Sequence, residues 1–382
     1  MGGPIDTGMA AGLSDAGAAQ RAGAVLTIDL DAVRANYRLL RQRAGGAAVA
    51  GVLKADAYGL GMARVAPALV REGCRVFFVA HLDEGLRLRP LVPRASRIYV
   101  LHGAMPGAAA DCLAHDLVPV LNDAGQAREW QAAARRLGRR LPAAVQVDTG
   151  MSRMGMSAAD LAELGEPAGW LDGLEPALLM SHLACADDPA HPMNGAQRTR
   201  FEALRARFPA MACSLANSSA VFLGPDFHYD LVRPGAALYG IDPQPGAPNP
   251  LRQAVSLQAR IVQVREVEAG AAVGYGARFV ADGPRHIATI AVGYADGWLR
   301  ALSGRGFAFV DGVRVPVAGT VSMDSITLDV TGIARERIAP GLCVELLGPH
   351  QHVDHVAAQA GTIGYEVLTR LGARFHRVYL GE

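Results

Sequence analysis

The sequence predicts an α/β fold, a (β/α)8 barrel of the TIM type followed by a second, mainly antiparallel β domain. Three observations support this prediction. Short hydrophobic, β-branched runs alternate with Ala/Leu/Arg-rich helical segments over about 200 residues. A Pro-rich segment, PQPGAPNP at 243–250, then interrupts the pattern. Beyond it, short alternating runs are separated by glycine-containing turns, which is typical of antiparallel sheet.

The barrel is predicted from eight strand candidates whose hydrophobicity is nearly continuous, as in strands buried on both faces. They are AVAGVLK (48–54), RVFFVAH (75–81), RIYVLH (97–102), LVPVLN (117–122), AAVQVD (143–148), PALLMSH (176–182), MACSLAN (211–217) and YDLVRPG (229–235). A doubly wound sheet uses the same alternation, but usually with fewer strands. One earlier strand-like run, AVLTIDLDAV at 24–33, could be an extra strand that joins the second domain, but the sequence alone does not place it.

The domain boundaries follow from these changes in pattern. We expect a flexible N-terminal tail over residues 1–22, the barrel over 23–248 and the β domain over 249–382. The tail is small and weakly polar, without the basic start and apolar stretch of a signal peptide. Within the β domain, QHVDHVAAQAGTIGYEVLTRLG predicts a short helix or two.

Composition excludes several classes of protein. Of 382 residues, 51% are hydrophobic and 19% charged, which argues against disorder. The net charge of +1 and the 6% aromatic content do not predict nucleic-acid binding. No apolar run is long enough to cross a membrane. Five widely spaced cysteines contain no C-x-x-C pair and favour a reducing, cytoplasmic location.

Polar residues end the predicted strands, where a barrel builds its active site. They are Lys54, His81, His102, Asn122, Asp148, His182, Asn217, Ser218 and Arg233. Lys54 is either a surface lysine in a Gly-bounded loop or an amine placed to form a Schiff base, because burying an ammonium is costly. Tyr58 lies four residues further on, and Ser218 and Gly235–Ala236 follow the two strands whose loops usually hold phosphate. A phosphate and a Schiff-base lysine together indicate pyridoxal 5'-phosphate.

Nine stretches resemble the alanine racemases, the barrel-type (fold-type III) pyridoxal-phosphate family, in the order that the family has them over residues 24–382. They are VLKADAYGLG, VDTGMSRMG, SHLACAD, ANSSA, LVRPGAALYG, VGYGARF, AVGYADG, GTVSMDSITLDV and GTIGYEVLTRL. The resemblance implies an isomerase that interconverts L- and D-alanine for peptidoglycan. It also implies a head-to-tail homodimer with shared active sites.

The resemblance implies a role for each matching residue. Lys54 and Tyr275 would be the catalytic pair, Tyr275 acting in the partner subunit's site, because one base reaches only one face of a planar carbanion. The cofactor would be held by Lys54, Tyr58, His182, Ser218, Arg233, Gly235, Ala236 and Tyr365. Arg233 would face the pyridine nitrogen without donating its proton, and His182 would be its hydrogen-bond partner. The substrate would be contacted by Arg153, Met323, Asp324 and Tyr294.

Two positions differ from the common family pattern. Gln146 stands where many members have a lysine that becomes carbamylated, so Arg153 needs another partner, and Ser322 stands where a cysteine is frequent. The histidines of PHQHVDH do not predict a metal site, because no further ligands surround them.

Three alternatives remain from the sequence. A broad-specificity amino-acid racemase of the same fold differs only in pocket width. A barrel-type amino-acid decarboxylase is disfavoured by Tyr275 and by Arg233 at the ring nitrogen. A non-catalytic cofactor-binding protein is disfavoured by the second domain.

Overall fold

A computed structural model describes residues 15–382 of the chain. Its helices are α1 Asp15–Arg21, α2 Leu30–Ala44, α3 Lys54–Tyr58, α4 Met62–Arg71, α5 Leu82–Leu88, α6 Ala109–Ala114, α7 Ala124–Leu137, α8 Ala158–Leu164, α9 Pro167–Trp170, α10 Pro192–Arg205, α11 Val353–Ala360 and α12 Gly364–Arg370. Its strands are β1 Ala24–Asp29, β2 Ala48–Val49, β3 Gly51–Val52, β4 Val76–Val79, β5 Arg97–Val100, β6 Leu117–Leu121, β7 Leu141–Gln146, β8 Leu174–Met180, β9 Cys213–Ser214, β10 Leu231–Val232, β11 Val255–Val267, β12 Ala272–Val273, β13 Phe279–Val280, β14 Arg285–Ile290, β15 Phe307–Val310, β16 Val313–Pro316, β17 Ile326–Asp329, β18 Cys343–Leu347 and β19 His376–Leu380.

The described chain divides into two compact units, each built from several segments. The barrel unit contains residues 28–255, 363–369 and 379–382. The β unit contains residues 15–27, 256–362 and 370–378. Part of the predicted tail, residues 1–14, lies outside the described residues; its remainder includes α1.

The barrel unit is a closed ring of parallel strands. Strands β3 to β9 pair in chain order, and β10 pairs with β2. Because Ala50 alone separates β2 from β3, these two form one barrel strand. Main-chain N–H groups of Asp230 and Arg233 donate to the carbonyls of Cys213 and Ala216, which joins the β10 segment to the β9 segment. The eight-stranded barrel predicted from the sequence is confirmed.

Burial explains why these sequences form two kinds of sheet. Every residue of β6 is buried, as expected for a strand covered on both faces. The first half of β11 instead alternates buried and accessible residues, as an antiparallel strand with one wet face does. Helix ends are also encoded locally: Asp123 accepts the N–H of Gln126 to begin α7, which ends at Gly138 with a φ of 61°.

The β unit is built on one eight-stranded, mainly antiparallel sheet. Its strand order is β16-β15-β18-β11-β1-β19, with β14 pairing β11 and β17. The early strand that the sequence left unplaced is β1, between β11 and β19. The predicted helices near the C-terminus are α11 and α12. Among the described residues, none of the helices combines the length and hydrophobicity needed to cross a membrane.

Candidate active site

A cavity of about 550 Å³ opens where the barrel strands end. Its lining residues are Val52, Lys54, Tyr58, Phe78, Ala80, Leu101, His102, Gln146, Arg153, Met154, His182, Asn217, Ser218, Arg233, Gly235 and Tyr365. Most of them lie at the end of a barrel strand or within a few residues after it, which is where this fold places its chemistry. The lining contains one lysine, two arginines and no Asp or Glu, so it suits an anionic ligand.

Lys54 follows β3 and enters the cavity from an unusual turn. The next four residues, Ala55 to Tyr58, have φ between 53° and 57°, which makes α3 a left-handed turn. Burial lowers the pKa of Lys54, Arg153 lowers it further, and the carboxylate of Glu84 opposes them. The sequence contains a signal that motif reasoning missed: Lys54 is the only lysine in the chain.

Tyr58, at the other end of this turn, packs between two tyrosines. Its ring lies 5.0 Å from that of Tyr239 and 6.2 Å from that of Tyr365, measured between centroids. The Tyr58 hydroxyl occupies the space that a β-carbon on Gly235 would fill. Glycine at position 235 therefore lets the phenol and the main chain approach each other closely.

Ser218 organises the neighbouring main chain. Its hydroxyl accepts the N–H groups of Gly235 and Ala237 at 2.9 and 3.2 Å. The intervening Ala236 is buried and starts a 3-10 turn, Ala236–Tyr239. Tyr58, Ser218, Gly235 and Tyr365 thus lie close to one another in the cavity lining.

Arg233 is a buried residue of the cavity lining and is fixed by several acceptors. Its guanidinium donates to the carbonyl of Ser181 at 2.6 Å, to the hydroxyl of Ser214 and to Nδ1 of His182 at 3.5 Å. Burial lowers the pKa of Arg233 to about 9, so the group stays charged at neutral pH. Sequence reasoning did not identify Ser181 or Ser214. Ser181 accepts through its main-chain carbonyl, and Ser214 lies inside strand β9.

Gln197 supports this arrangement from α10. Its amide nitrogen donates to the carbonyl of His182 at 2.9 Å and to the hydroxyl of Thr149 at 3.1 Å. The Thr149 and Ser181 hydroxyls are 2.8 Å apart. These buried hydrogen bonds could not be predicted from the sequence, because Gln197 lies within an ordinary amphipathic helix pattern.

The remaining predicted site residues lie in the β unit. Tyr275 opens a 3-10 turn between β12 and β13, and its side chain is 74% exposed. Tyr294 donates its N–H to the carbonyl of Ser322 at 2.9 Å, next to Met323. Arg374 donates to Asp324 at 2.7 Å and to Asp296 at 2.6 Å. These contacts bring Tyr294, Met323 and Asp324 together within the β unit.

Comparison with known proteins identifies the family. Residues 28–243 match the alanine racemase N-terminal domain and residues 254–379 match the alanine racemase C-terminal domain. The chain belongs to the alanine racemase family. It is 54% identical over 360 residues to a catabolic alanine racemase of Mesorhizobium japonicum, covering 94% of each chain. An alanine racemase of Brucella abortus is 47% identical over 372 residues, with 94% of each chain covered.

Solved alanine racemases share the fold. The structure from Bartonella henselae, which has covalently bound pyridoxal phosphate, superposes with a TM-score of 0.91 at 40% identity. It covers 94% of this chain and 100% of its own. The Streptomyces coelicolor structure has a TM-score of 0.90 at 36% identity and covers 96% and 100% of the two chains. The predicted family and fold are therefore confirmed.

Proposed function

We propose that this protein interconverts L-alanine and D-alanine with pyridoxal 5'-phosphate bound in the barrel cavity. The observation that carries the proposal is the pairing of the chain's single lysine with a cavity lined by Arg153 and Arg233 and by no carboxylate. A phosphate and an amino-acid carboxylate are both anions, so this lining favours both. Family membership supports the same activity.

The residues present fit the cofactor. Tyr58, Ser218, Tyr365 and the main chain at Gly235 and Ala236 would hold the phosphate, since hydroxyls and main-chain N–H groups converge there. Arg233 would face the ring nitrogen and His182 would hold Arg233 in place. Pyridoxal phosphate, when bound, supplies an electron sink that stabilises the carbanion left by loss of the α-proton.

Lys54 suits the two tasks assigned to it. A lowered pKa gives the amine a larger neutral fraction near pH 7, and the neutral form is both the nucleophile and the base. Arg153 would bind the substrate carboxylate and orient the α-carbon. In one direction Lys54 would take the proton from one face of that carbon while Tyr275 of the partner subunit delivers a proton to the other, and in the reverse direction the two residues would change roles.

A head-to-tail homodimer would complete the site. Tyr275 lies in the β unit, and its side chain is three-quarters exposed. Val280 and Met323 in the same unit are more than half exposed. These side chains would be part of the surface that the partner subunit covers.

The cellular assignment is the supply of D-alanine for peptidoglycan in the cytoplasm. All five cysteines are unpaired, which suits a reducing compartment. A broad-specificity racemase acting on larger side chains is the nearest alternative, and residues 294 and 365 would then border a wider pocket.

The deciding experiment is turnover of single amino acids in heavy water. The purified protein with pyridoxal phosphate is incubated with L-alanine, L-serine, L-lysine or L-arginine, and α-deuterium uptake and loss of optical rotation are followed. Alanine should react far faster than the others. Comparable rates for lysine or arginine would establish the broad-specificity enzyme, and release of CO2 without racemisation would establish a decarboxylase.

A further inference from the structure

Glu84 is a buried carboxylate whose contacts join two neighbouring barrel strands. Its side chain lies in α5 and only 6% of the residue is exposed. Oε1 accepts the N–H of Ala55 at 2.6 Å, directly after Lys54. Oε2 accepts the N–H groups of Ala80 and His81 at 2.7 and 3.1 Å, directly after β4. Buried carboxylates of this kind form short, charge-assisted hydrogen bonds to the main chain.

The contact to Ala55 matters because the turn that it begins is unfavourable on its own. Four consecutive residues of α3 are left-handed and none is glycine, although L-residues with a side chain disfavour this conformation. Helix initiation also leaves main-chain N–H groups without partners inside the turn. Glu84 supplies a partner for one of them, that of Ala55, and Asp56 accepts the N–H of Met62, beyond the turn, at 2.8 Å.

An ordinary helix cap does not explain all three hydrogen bonds. Glu84 is the third residue of α5, where its carboxylate would be expected to bind the N–H of the capping residue His81. The bond from Oε1 to Ala55 lies outside that motif and reaches a different strand. It is therefore the bond that distinguishes a role towards Lys54 from a role in starting α5.

We propose that Glu84 is the positioning residue for Lys54, because its carboxylate holds the left-handed turn that directs both Lys54 and Tyr58 into the cavity. The two residues are the ends of α3 and both line the cavity. A change in the handedness of the turn would move one relative to the other. Glu84 thereby couples the lysine to the tyrosine that is assigned to the phosphate. The inference rests on the proposed function only for the tasks given to Lys54 and Tyr58.

The first test is hydrogen exchange of the full-length protein with pyridoxal phosphate. Glu84→Gln should speed exchange of the amides of residues 55–58 about tenfold or more, because local opening of the turn becomes easier. Asp83→Asn is the matched control, since Asp83 is an exposed carboxylate in the first turn of the same helix. Equal exchange at 55–58 in both variants would overturn the proposal.

A second readout uses the single lysine. Amine-reactive labelling of the full chain before cofactor is added reports on Lys54, with the α-amino group as the only other amine. In Glu84→Gln the pH profile of Lys54 labelling should move to lower pH, because the carboxylate that favours the ammonium is gone. An unchanged profile would contradict the proposal, because Glu84 would then have no influence on Lys54. Exchange and labelling are both measured without turnover, so they remain decisive even if the protein does not racemise alanine.

A rescue experiment covers the case in which Glu84→Gln folds poorly. Glycine adopts positive φ without strain, so Ala55→Gly should make the turn less dependent on the carboxylate. Glu84→Gln should then cost less soluble yield and less thermal stability in the Ala55→Gly background than in the wild-type background. Ala63→Gly, at an exposed position of the right-handed α4, is the control background. Equal losses in all three backgrounds would contradict the proposed role.

Discussion

A guanidinium nitrogen of Arg233 lies 3.5 Å from Nδ1 of His182, and the guanidinium is the donor. The imidazole nitrogen must therefore be unprotonated. Burial is the largest cause that lowers the pKa of His182, to about 3, and the positive charges of Arg233, Arg153 and Lys54 lower it further. The barrel thus contains a histidine that stays neutral in the folded chain at pH values where a free histidine gains a proton.

This neutral histidine should make stability fall in acid. Above pH 6.5 His182 is neutral in both states and has no effect on the free energy of unfolding. As the pH falls from 6.5 towards 3, the unfolded chain takes up a proton that the folded chain refuses, so that free energy decreases. The loss should be about 2 kcal/mol at pH 5. Urea unfolding at pH 7.5 and pH 5 measures it.

Other groups also titrate in this range, so the result is the difference between variants in how much the free energy of unfolding changes from pH 7.5 to pH 5. His182→Asn keeps an oxygen that can accept from Arg233 but does not titrate, and its free energy of unfolding should fall less between the two pH values. His115→Asn, at an exposed position, is the control. The interpretation fails if the His182 and His115 variants show the same pH dependence.

Replacing Arg233 by lysine should weaken both the barrel and cofactor binding. An ammonium lacks the planar fork that reaches Ser181, Ser214 and His182 together. We expect the free energy of unfolding to fall by about 1–3 kcal/mol, the usual effect of leaving buried acceptors unpaired. Urea unfolding and spectrophotometric titration with pyridoxal phosphate measure the two effects. Arg200→Lys, at an arginine that donates to the carbonyl of Thr149 at 2.9 Å, should change stability less.

Adding one methyl group at Gly235 should disturb the phosphate end of the cavity. The new β-carbon of Gly235→Ala would collide with the Tyr58 hydroxyl, so the affinity for pyridoxal phosphate should fall about tenfold or more. Tyr58→Phe removes the colliding oxygen but leaves the ring carbons close, so the double variant should lose less affinity than the sum of the single losses. Strict additivity would show that the two positions do not interact.

Mixing two inactive variants tests the shared site. Tyr275→Phe should keep the absorbance of bound cofactor but lose about 100-fold or more of the racemisation rate, as loss of a proton-transfer group does. Lys54→Ala should lose both. If each site takes Lys54 from one subunit and Tyr275 from the other, refolding the two variants together should restore about a quarter of wild-type activity, because half of the dimers are mixed and each has one intact site.

Racemisation of alanine by the mixture is the measurement, and each variant refolded alone is the control. No recovery in a mixture shown by mass to contain mixed dimers would contradict the exchange of Tyr275 between subunits.

The barrel strands could be predicted because a strand buried on both faces consists almost entirely of hydrophobic residues. Strand β6 reads as a continuous apolar run and is buried throughout. The positions of the strand ends were enough to predict that Lys54, His182, Ser218 and Arg233 share one cavity, and all four line it. The position of β1 was not predictable, because its alternation fits either sheet and only long-range pairing with β11 and β19 decides it.

The handedness of α3 was also beyond sequence reasoning. Left-handed residues are usually recognised by glycine, and Lys-Ala-Asp-Ala-Tyr contains none. The residue proposed to hold this turn is Glu84, and it is 29 residues from Ala55 in the sequence. Ser181 and Thr149 were hidden for a similar reason, since contacts between distant hydroxyls and carbonyls leave no local pattern.

The lysine count has a consequence for how the protein acquires its cofactor. Of the 37 lysine and arginine residues, Lys54 is the single lysine. Pyridoxal phosphate is an aldehyde, and aldehydes condense with accessible amines wherever they meet them. A surface whose basic groups are nearly all guanidinium groups presents few such amines, so a chain exposed to excess aldehyde should be modified almost entirely at Lys54. The positive charge of the chain is thereby separated chemically from the amine proposed to bind the cofactor, and the α-amino group is the one other amine that could form a competing adduct.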